Sequence, residues 1–190
     1  MEKSKELAIL ILAAGNSSRL GEPKQLVTYK NSTLLEHACK KALQINENVF
    51  VVLGANFLEC KKKIQNLDVS IIENRKYKDG LSSSIKEGIL NITQYNKTLI
   101  MLCDQPFIDM KHLKKLIDQS KNSNNIVSSY YKNDVAVPAV FPKEFYSDLM
   151  ELQGDKGAKS IIKKFTSDVI VLEDSLAIDI DTQEDKIYLD

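Results

Sequence analysis

The stretch that decides the fold is Ala8-Ile9-Leu10-Ile11-Leu12-Ala13-Ala14-Gly15-Asn16-Ser17-Ser18-Arg19-Leu20-Gly21-Glu22-Pro23-Lys24. It begins as an apolar run of strand length and turns abruptly into a loop of small residues. Backbone N–H groups that no bulky side chain covers form an anion-binding concavity in such a loop. Arg19 offers a rigid guanidinium fork to a phosphate, and Lys24 offers a compact positive charge. The stretch therefore predicts a buried strand that ends at a site for a polyanionic group, such as a nucleoside triphosphate.

Two common phosphate-binding patterns are absent from this stretch: the dinucleotide fingerprint G-x-G-x-x-G and the P-loop G-x-x-x-x-G-K-[ST]. The pattern that stands there is L-A-A-G-x-S-x-R-x-G-x-P-K, from Leu12 to Lys24. It closely resembles the signature loop of the MobA-like nucleotidyltransferases, and within them the molybdenum-cofactor cytidylyltransferase (MocA-like) group. The resemblance implies that the nucleotide is bound by Leu12, Ala13, Ala14, Gly15, Asn16, Arg19 and Lys24.

The resemblance also implies a fold and an activity. The fold is α/β, a Rossmann-like three-layer αβα sandwich with a mostly parallel central sheet, of the nucleotide-diphospho-sugar transferase type. The activity is Mg²⁺-dependent transfer of CMP from CTP to molybdopterin with release of pyrophosphate, a reaction of EC class 2.7.7. In the group resembled, Ala-Ala-Gly in the first loop accompanies cytidine nucleotides and Ala-Gly-Gly accompanies guanosine nucleotides. Ala13-Ala14-Gly15 therefore indicates CTP.

Strand and helix patterns alternate along the first half of the chain, independently of that resemblance. Thr33 and Glu36 have the spacing of a capping box, the apolar run Val49–Leu53 is typical of a buried strand, and residues 56–67 are predicted to form a helix. Further strands are expected at 69–72 and 98–102. This alternation predicts a parallel sheet with helices on both faces and ligands beyond the carboxyl ends of the strands.

A second motif, Asp104-Gln105-Pro106, follows the predicted strand at 98–102. A carboxylate there suits Mg²⁺, which prefers one or two carboxylates together with phosphate oxygens and water. The aspartate could alternatively cap the next turn. The D-x-P form resembles the metal-binding aspartate of the family, which implies a catalytic role for Asp104 beside Arg19 and Lys24.

The third motif is Asp179-Ile180-Asp181-Thr182 near the carboxyl terminus. Its two carboxylates alternate with apolar residues, so an extended segment would place both on one face. The resemblance assigns the metal to Asp181, the residue before the threonine, with Asp179 as the alternative. Because 77 positions separate Asp104 from Asp181 (181 − 104), only the fold can bring them together.

A serine-rich segment follows Gly80, and Ser84 with Glu87 has capping-box spacing. By composition the segment is an ordinary helix start. The resemblance implies instead that Gly80, Ser82 and Ser83 contact the base and ribose of the nucleotide.

The acceptor side shows one departure from the family pattern. After a strand at 126–131, a second strand is expected to contain Ala136-Val137-Pro138, where relatives usually carry Gly-x-Pro. Pro138 predicts an edge or bulged strand, and the Ala136 methyl leaves the identity of the acceptor open. Downstream, Gly154-Asp155-Lys156-Gly157-Ala158-Lys159 resembles the family pattern G-D-x-G-A-[RK], which implies a role in shaping the acceptor side of the cleft; alternatively, Asp155 caps a helix that begins there.

Composition limits the class of protein. The 190 residues suit a single domain, here 1–190, and 26 basic side chains balance 26 acidic ones. This balance argues against broad binding to nucleic acid or an anionic membrane. A polar amino terminus and the lack of a ~20-residue apolar run favour a cytoplasmic location. The cysteines, expected in the core rather than in a zinc site or disulfide, are Cys39, Cys60 and Cys103.

The predicted chemistry is positioning and charge neutralisation. Amides from Ala13 to Asn16 and Arg19 hold the β- and γ-phosphates, Lys24 contacts the α-phosphate region, and Asp104 with Asp181 holds Mg²⁺. One alternative is the same reaction on a sugar or polyol phosphate. Others are a non-catalytic molybdenum-cofactor accessory protein for a molybdenum hydroxylase and a nucleotide sensor that needs no metal. The sequence does not indicate an oligomeric state.

Overall fold

A computed structural model describes residues 5–189, and within them strands and helices alternate as the sequence predicts. The strands are β1 (Leu7–Ala13), β2 (Thr28–Tyr29), β3 (Ser32–Thr33), β4 (Val49–Leu53), β5 (Ser70–Glu73), β6 (Lys97–Leu102), β7 (Ile126–Tyr131), β8 (Asp134–Pro142) and β9 (Ser167–Val171). The α-helices are α1 (Leu34–Leu43), α2 (Phe57–Ile64), α3 (Leu81–Leu90), α4 (Met110–Lys121), α5 (Tyr146–Met150) and α6 (Lys159–Lys164).

The central sheet has seven strands in the order β5-β4-β1-β6-β8-β7-β9. Strand β8 is antiparallel to both of its neighbours, and the other adjacent pairs are parallel. Strand β1 lies between β4 and β6, and Leu12 is paired with Leu102. The loops that follow β1 and β6 therefore leave the same edge of the sheet side by side. The expected mostly parallel sheet is confirmed.

Helices cover both faces of this sheet. One core cluster joins α1, α2 and α4 to one face of the strands and contains Ile9, Ile11 and Met101. A second cluster joins α3, α5 and α6 to the other face and contains Leu10 and Ile100. Successive residues of β1 thus serve opposite layers, as the alternation of side chains along a strand requires. The three-layer αβα sandwich is confirmed, and Cys39, Cys60 and Cys103 are buried as expected.

The strand that contains Pro138 is not at an edge of the sheet, because β8 lies between β6 and β7. The alternative of a bulged strand is the correct one. Ser128 pairs with Ala139 and the next residue, Ser129, pairs with Ala136, so Val137 and Pro138 lie outside the regular register. Proline has no N–H to donate to a ladder, and a bulge is where a central strand accommodates it.

Of the helix starts and ends predicted from local sequence signals, some are confirmed and others are wrong. Thr33 and Glu36 form the predicted capping box of α1. The second helix is shorter than the predicted 56–67, since it runs from Phe57 to Ile64. The Ser84–Glu87 capping box is wrong, because α3 begins at Leu81 and Ser84 lies in its first turn. A cap at Asp155 is also wrong, because α6 begins only at Lys159.

No helix within residues 5–189 is both long enough and apolar enough to cross a lipid bilayer.

Candidate active site

A cavity of about 450 Å³ opens where β1 and β6 end. Most of the residues that the sequence singled out line it: Leu12, Ala13, Ala14, Gly15, Asn16, Arg19, Lys24, Gly80, Asp104 and Asp181. Ser82 and Ser83 lie outside this lining, and Ser84 is on it instead. The Ser82 N–H donates to the Gly154 carbonyl, and the Ser83 hydroxyl donates to the Gly80 carbonyl.

The loop after β1 is held by Gln25, which is almost fully buried. Its Nε2 donates to the carbonyls of Ala13 at 3.0 Å and Gly15 at 2.7 Å. A trans peptide directs its N–H opposite to its C=O, so the N–H groups of Ala14 and Asn16 point away from Gln25. The Gly15 end of the loop is uncovered, since a Cβ built on Gly15 would meet nothing within 4 Å. This geometry suits an anion approaching the loop.

Lys24 lies between Asp104 and Asp181, two aspartates that are far apart in the sequence. Its ammonium Nζ is 2.5 Å from Asp104 Oδ2 and 2.5 Å from Asp181 Oδ1. Burial alone would lower the pKa of Lys24, but the attraction of Asp104 and Asp181 outweighs burial and raises that pKa above its ordinary value. Arg19 Nη2 donates to the other oxygen of Asp181 at 2.9 Å, although the Arg19 side chain is 72% exposed. The cluster therefore places two cations and two carboxylates at the mouth of the loop that follows β1.

A backbone contact holds the carboxyl-terminal segment against the loop after β6. The Ile180 N–H donates to the Asp104 carbonyl at 2.9 Å. The Ile180 side chain is buried in a small core cluster with Leu20 and Leu34, which anchors the segment. On one side of Ile180, Asp181 lines the first cavity, and on the other side Asp179 lines a second cavity. This contact is the physical reason that residues 77 positions apart meet.

The carboxylates fit a divalent cation. Asp104 Oδ1 is buried and has no hydrogen-bond partner among residues 5–189, although an unpaired buried acceptor normally costs stability. No three His, Cys, Asp or Glu side chains converge into a complete metal cage in the described part of the chain. Mg²⁺ does not need such a cage, since it keeps waters and takes ligands from substrate phosphates. Asp104 and Asp181 are thus the residues that could hold a cation in the first cavity.

The second cavity, of about 480 Å³, adjoins the first. Both are lined by Leu12, Leu81 and Leu102, so one continuous wall separates two neighbouring sites. Ala136 lines the second cavity, which places the departure from the family's Gly-x-Pro pattern on its surface. Gly157 and Lys159 also line it, and Asp155 lines the first cavity.

The Gly80 backbone is expected to be intolerant of any side chain. Gly80 has φ +96°, and a Cβ there would lie 2.4 Å from the Gly154 carbonyl carbon. Gly80→Ala is expected to lower the free energy of unfolding by about 2 kcal/mol, from overpacking against backbone and an unfavourable φ. Urea denaturation of the ligand-free protein measures the loss. Gly15→Ala is the matched control, because its methyl enters open space, and an equal loss in both variants would contradict the prediction.

The loop that carries Asp104 is supported by a buried lysine that the sequence did not single out. Lys41 Nζ donates to the Pro106 carbonyl at 2.9 Å and also to the Ile108 carbonyl. Burial lowers the pKa of Lys41 to about 8, against the opposing attraction of Asp109. The Lys41 ammonium therefore links α1 by hydrogen bonds to the residues that follow Asp104.

The lowered pKa of Lys41 predicts that the free energy of unfolding depends on pH. The unfolded chain keeps the ordinary lysine pKa of 10.5, so between about pH 8 and 10.5 it binds more protons at Lys41 than the folded protein does. The contribution of Lys41 to stability is therefore greatest above pH 10.5, decreases as the pH falls from 10.5 to about 8, and is constant below that. Relative to Lys41→Met, the wild type should gain about 3 kcal/mol of unfolding free energy as the pH rises across this window.

Denaturant titrations at a series of pH values measure that difference. For Lys40→Met, the same change at an exposed neighbour, the free energy of unfolding should vary with pH as it does in the wild type. A wild-type curve parallel to that of Lys41→Met would show that Lys41 keeps an ordinary pKa in the folded protein.

Comparisons with known proteins identify the family to which this chain is similar. Residues 9–169 match the model of the MobA-like NTP transferase domain. Over 119 residues the chain is 30% identical to the bifunctional protein GlmU of Campylobacter fetus subsp. fetus, which covers 60% of this chain and 27% of that protein. Over 122 residues it is 30% identical to a probable molybdenum cofactor guanylyltransferase of Bacillus mycoides, which covers 62% of this chain and 58% of that protein. The matched part thus spans only a quarter to just over half of these relatives.

A solved structure extends the likeness over nearly the whole chain. It is that of the homolog of Mycobacterium tuberculosis Rv0371c from Mycobacterium sp. strain JC1, with a TM-score of 0.83 and 28% identity. The alignment covers 96% of this chain and 94% of that one. The seven-stranded sheet and its helical layers therefore have a full-length counterpart.

Proposed function

The chain belongs to the MobA-like NTP transferase family, and from this we propose that it is an Mg²⁺-dependent nucleotidyltransferase that transfers CMP from CTP to molybdopterin. The observation that carries the proposal is the Lys24 ammonium, 2.5 Å from both Asp104 and Asp181 at the mouth of the first loop. Two carboxylates and a lysine beside a phosphate-binding loop are the groups that phosphoryl-type transfer needs.

The proposed reaction forms one bond and breaks one. A phosphate oxygen of the acceptor attacks the α-phosphorus of CTP, the bond between the α-phosphorus and its bridging oxygen breaks, and pyrophosphate leaves with that electron pair. Amides from Ala13 to Asn16, with Arg19, hold the β- and γ-phosphates. Lys24 neutralises the charge that develops at the α-phosphate. The protein thus contributes orientation and electrostatic stabilisation rather than a covalent intermediate.

Asp104 and Asp181 would hold the cation, which when bound supplies Lewis-acid polarisation of the phosphoryl oxygens. The unpartnered, buried Asp104 Oδ1 supports this role. Asp179 is the weaker candidate because it lines the second cavity and accepts a hydrogen bond from Gln105. In the free protein Lys24 neutralises the two carboxylates, and in the complex it contacts the nucleotide.

CTP is proposed as the nucleotide because Ala13-Ala14-Gly15 is the form that accompanies cytidine in the group resembled. The relative from Bacillus mycoides carries guanylyltransferase in its name, so GTP is the principal competitor. Gly80 and Ser84, which line the first cavity, are proposed as the residues closest to the base and ribose. Ser82 and Ser83 would support this segment through their contacts with Gly154 and Gly80.

The function is tested by pyrophosphate release with CTP, GTP, UTP and ATP, each with Mg²⁺ and with or without molybdopterin. Multiple turnovers are expected only with CTP, Mg²⁺ and molybdopterin together. Turnover with a sugar or polyol phosphate would replace the acceptor and keep the chemistry. Tight binding of molybdopterin without pyrophosphate release would favour an accessory protein that passes the cofactor to a molybdenum hydroxylase.

A further inference from the structure

The second cavity contains a buried amide whose oxygen has no partner. Gln105 lines this cavity and is only 6% exposed. Its Nε2 donates to Asp179 Oδ1 at 2.8 Å and to the Tyr131 hydroxyl at 3.3 Å. Its Oε1 is buried and has no hydrogen-bond partner in the described residues. A buried acceptor left in this state costs free energy unless something else supplies a donor.

The neighbours of Gln105 fix which way its amide faces. The Tyr131 hydroxyl uses its only proton to donate to the Val137 carbonyl, at 3.1 Å, so toward Gln105 it can only accept. The ionised Asp179 carboxylate also only accepts. Both contacts therefore require the NH₂ group, and rotating the amide by 180° would place Oε1 against two acceptors. The unpartnered oxygen is thus a consequence of the network and not of an arbitrary assignment.

The cavity combines these acceptors with an apolar wall. Asp179 lines the cavity beside Gln105, and Ile85, Ile100 and Leu102 line it as well. A ligand that fits must cover apolar surface and bring hydrogen-bond donors to the two oxygen groups. A bare phosphate has no apolar surface to cover this wall, whereas Lys132 and Lys159, which also line the cavity, suit the anionic group of a larger acceptor.

We propose that Gln105 and Asp179 are specificity-determining residues for the body of the acceptor, which must have apolar surface and carry hydrogen-bond donors for their two oxygen groups. The inference rests on the proposed function, because it takes the second cavity as the place where the phosphate-bearing acceptor lies. Two sources share this chemistry: the amino and ring N–H edge of a pterin, and the vicinal hydroxyls of a sugar phosphate.

Calorimetric titration without nucleotide tests the inference and does not require turnover. The probes are molybdopterin, glucose 1-phosphate and phenyl phosphate, which has a ring and a phosphate but no ring donors. The wild type should bind at least one of the first two more tightly than phenyl phosphate. Gln105→Leu and Asp179→Asn should each weaken that binding about tenfold or more, the effect of a lost hydrogen bond to a buried or charged acceptor.

Three controls separate a binding role from a structural one. Phenyl phosphate should bind the variants and the wild type alike, and Gln119→Leu, the same change at an exposed glutamine, should leave every affinity unchanged. In turnover assays the KM for the acceptor should rise while the KM for CTP stays within about twofold. Equal affinities of wild type and variants, or no preference over phenyl phosphate, would overturn the inference. Binding that follows the prediction without any pyrophosphate release would overturn the proposed function alone.

Discussion

Asp104→Asn is expected to lower kcat for nucleotidyl transfer by about 100- to 1000-fold, the scale of one lost electrostatic contact with a developing charge. The substitution keeps the shape of the side chain and the backbone carbonyl that binds the Ile180 N–H. It removes the negative charge that Lys24 contacts at 2.5 Å, and it replaces one oxygen by an amide nitrogen, which does not bind Mg²⁺. The loss should therefore fall on the chemical step and on metal use rather than on folding.

Steady-state kinetics at several Mg²⁺ concentrations check this result. The variant should need more Mg²⁺ for half-maximal rate, and its thermal midpoint should stay close to that of the wild type. Asp118→Asn is the control, since Asp118 also pairs with a lysine, Lys121 at 2.7 Å, but on an exposed helix surface. Full turnover by Asp104→Asn at low Mg²⁺ would show that the catalytic cation, if there is one, is held elsewhere.

The strands and helices around this site could be predicted from the sequence where the signal lies within the element itself. An apolar run such as Val49–Leu53 carries its own signal, and so does the Thr33–Glu36 capping box. The alternation of strands and helices then limits the topology, because parallel strands need crossover connections. These rules suffice to predict that the loops after β1 and β6 share one edge of the sheet.

The errors occurred where a tertiary contact overrides a local signal. Pro138 is a breaker in any strand, but whether it marks an edge or a bulge depends on which strands pair with β8. The start of α3 at Leu81, ahead of the predicted cap at Ser84, coincides with the hydrogen bond from the Ser82 N–H to the Gly154 carbonyl. Gly154 is far from α3 in sequence, so no pattern within residues 80–88 reveals this contact.

The candidate site residues likewise fall into those that a local motif reveals and those whose role depends on tertiary contacts. Lys24, Asp104 and Asp181 stand in motifs, and their roles remain predictions that the geometry supports. Gln25, Lys41 and Gln105 were missed as supporting residues because each acts through distant groups: loop carbonyls, the carbonyls after Asp104, or Asp179. A glutamine directly beside a motif residue, as Gln25 is to Lys24 and Gln105 is to Asp104, is the local signal that could have drawn attention to these two residues, and Lys41 has no such signal.

Lys24→Ala is expected to have opposite effects on catalysis and on metal binding. The rate of nucleotidyl transfer should fall about 100-fold, because the ammonium no longer neutralises charge at the α-phosphate. In the free protein, however, the same ammonium occupies the space between Asp104 and Asp181, with a side chain only 17% exposed. Its removal leaves two largely buried carboxylates facing each other, and their repulsion is relieved by a divalent cation. The nucleotide-free variant should therefore bind Mg²⁺ more tightly than the wild type.

Single-turnover kinetics and calorimetric titration with Mg²⁺ alone measure the two effects on the same samples. Lys62→Ala, which removes an exposed lysine from α2, should change neither the reaction rate nor the affinity for Mg²⁺. A general loss of structure would weaken both activities together, so a slower reaction combined with tighter Mg²⁺ binding identifies the role of Lys24 specifically. Unchanged Mg²⁺ affinity would mean that Asp104 and Asp181 do not form a shared cation site, and normal turnover would remove Lys24 from the reaction.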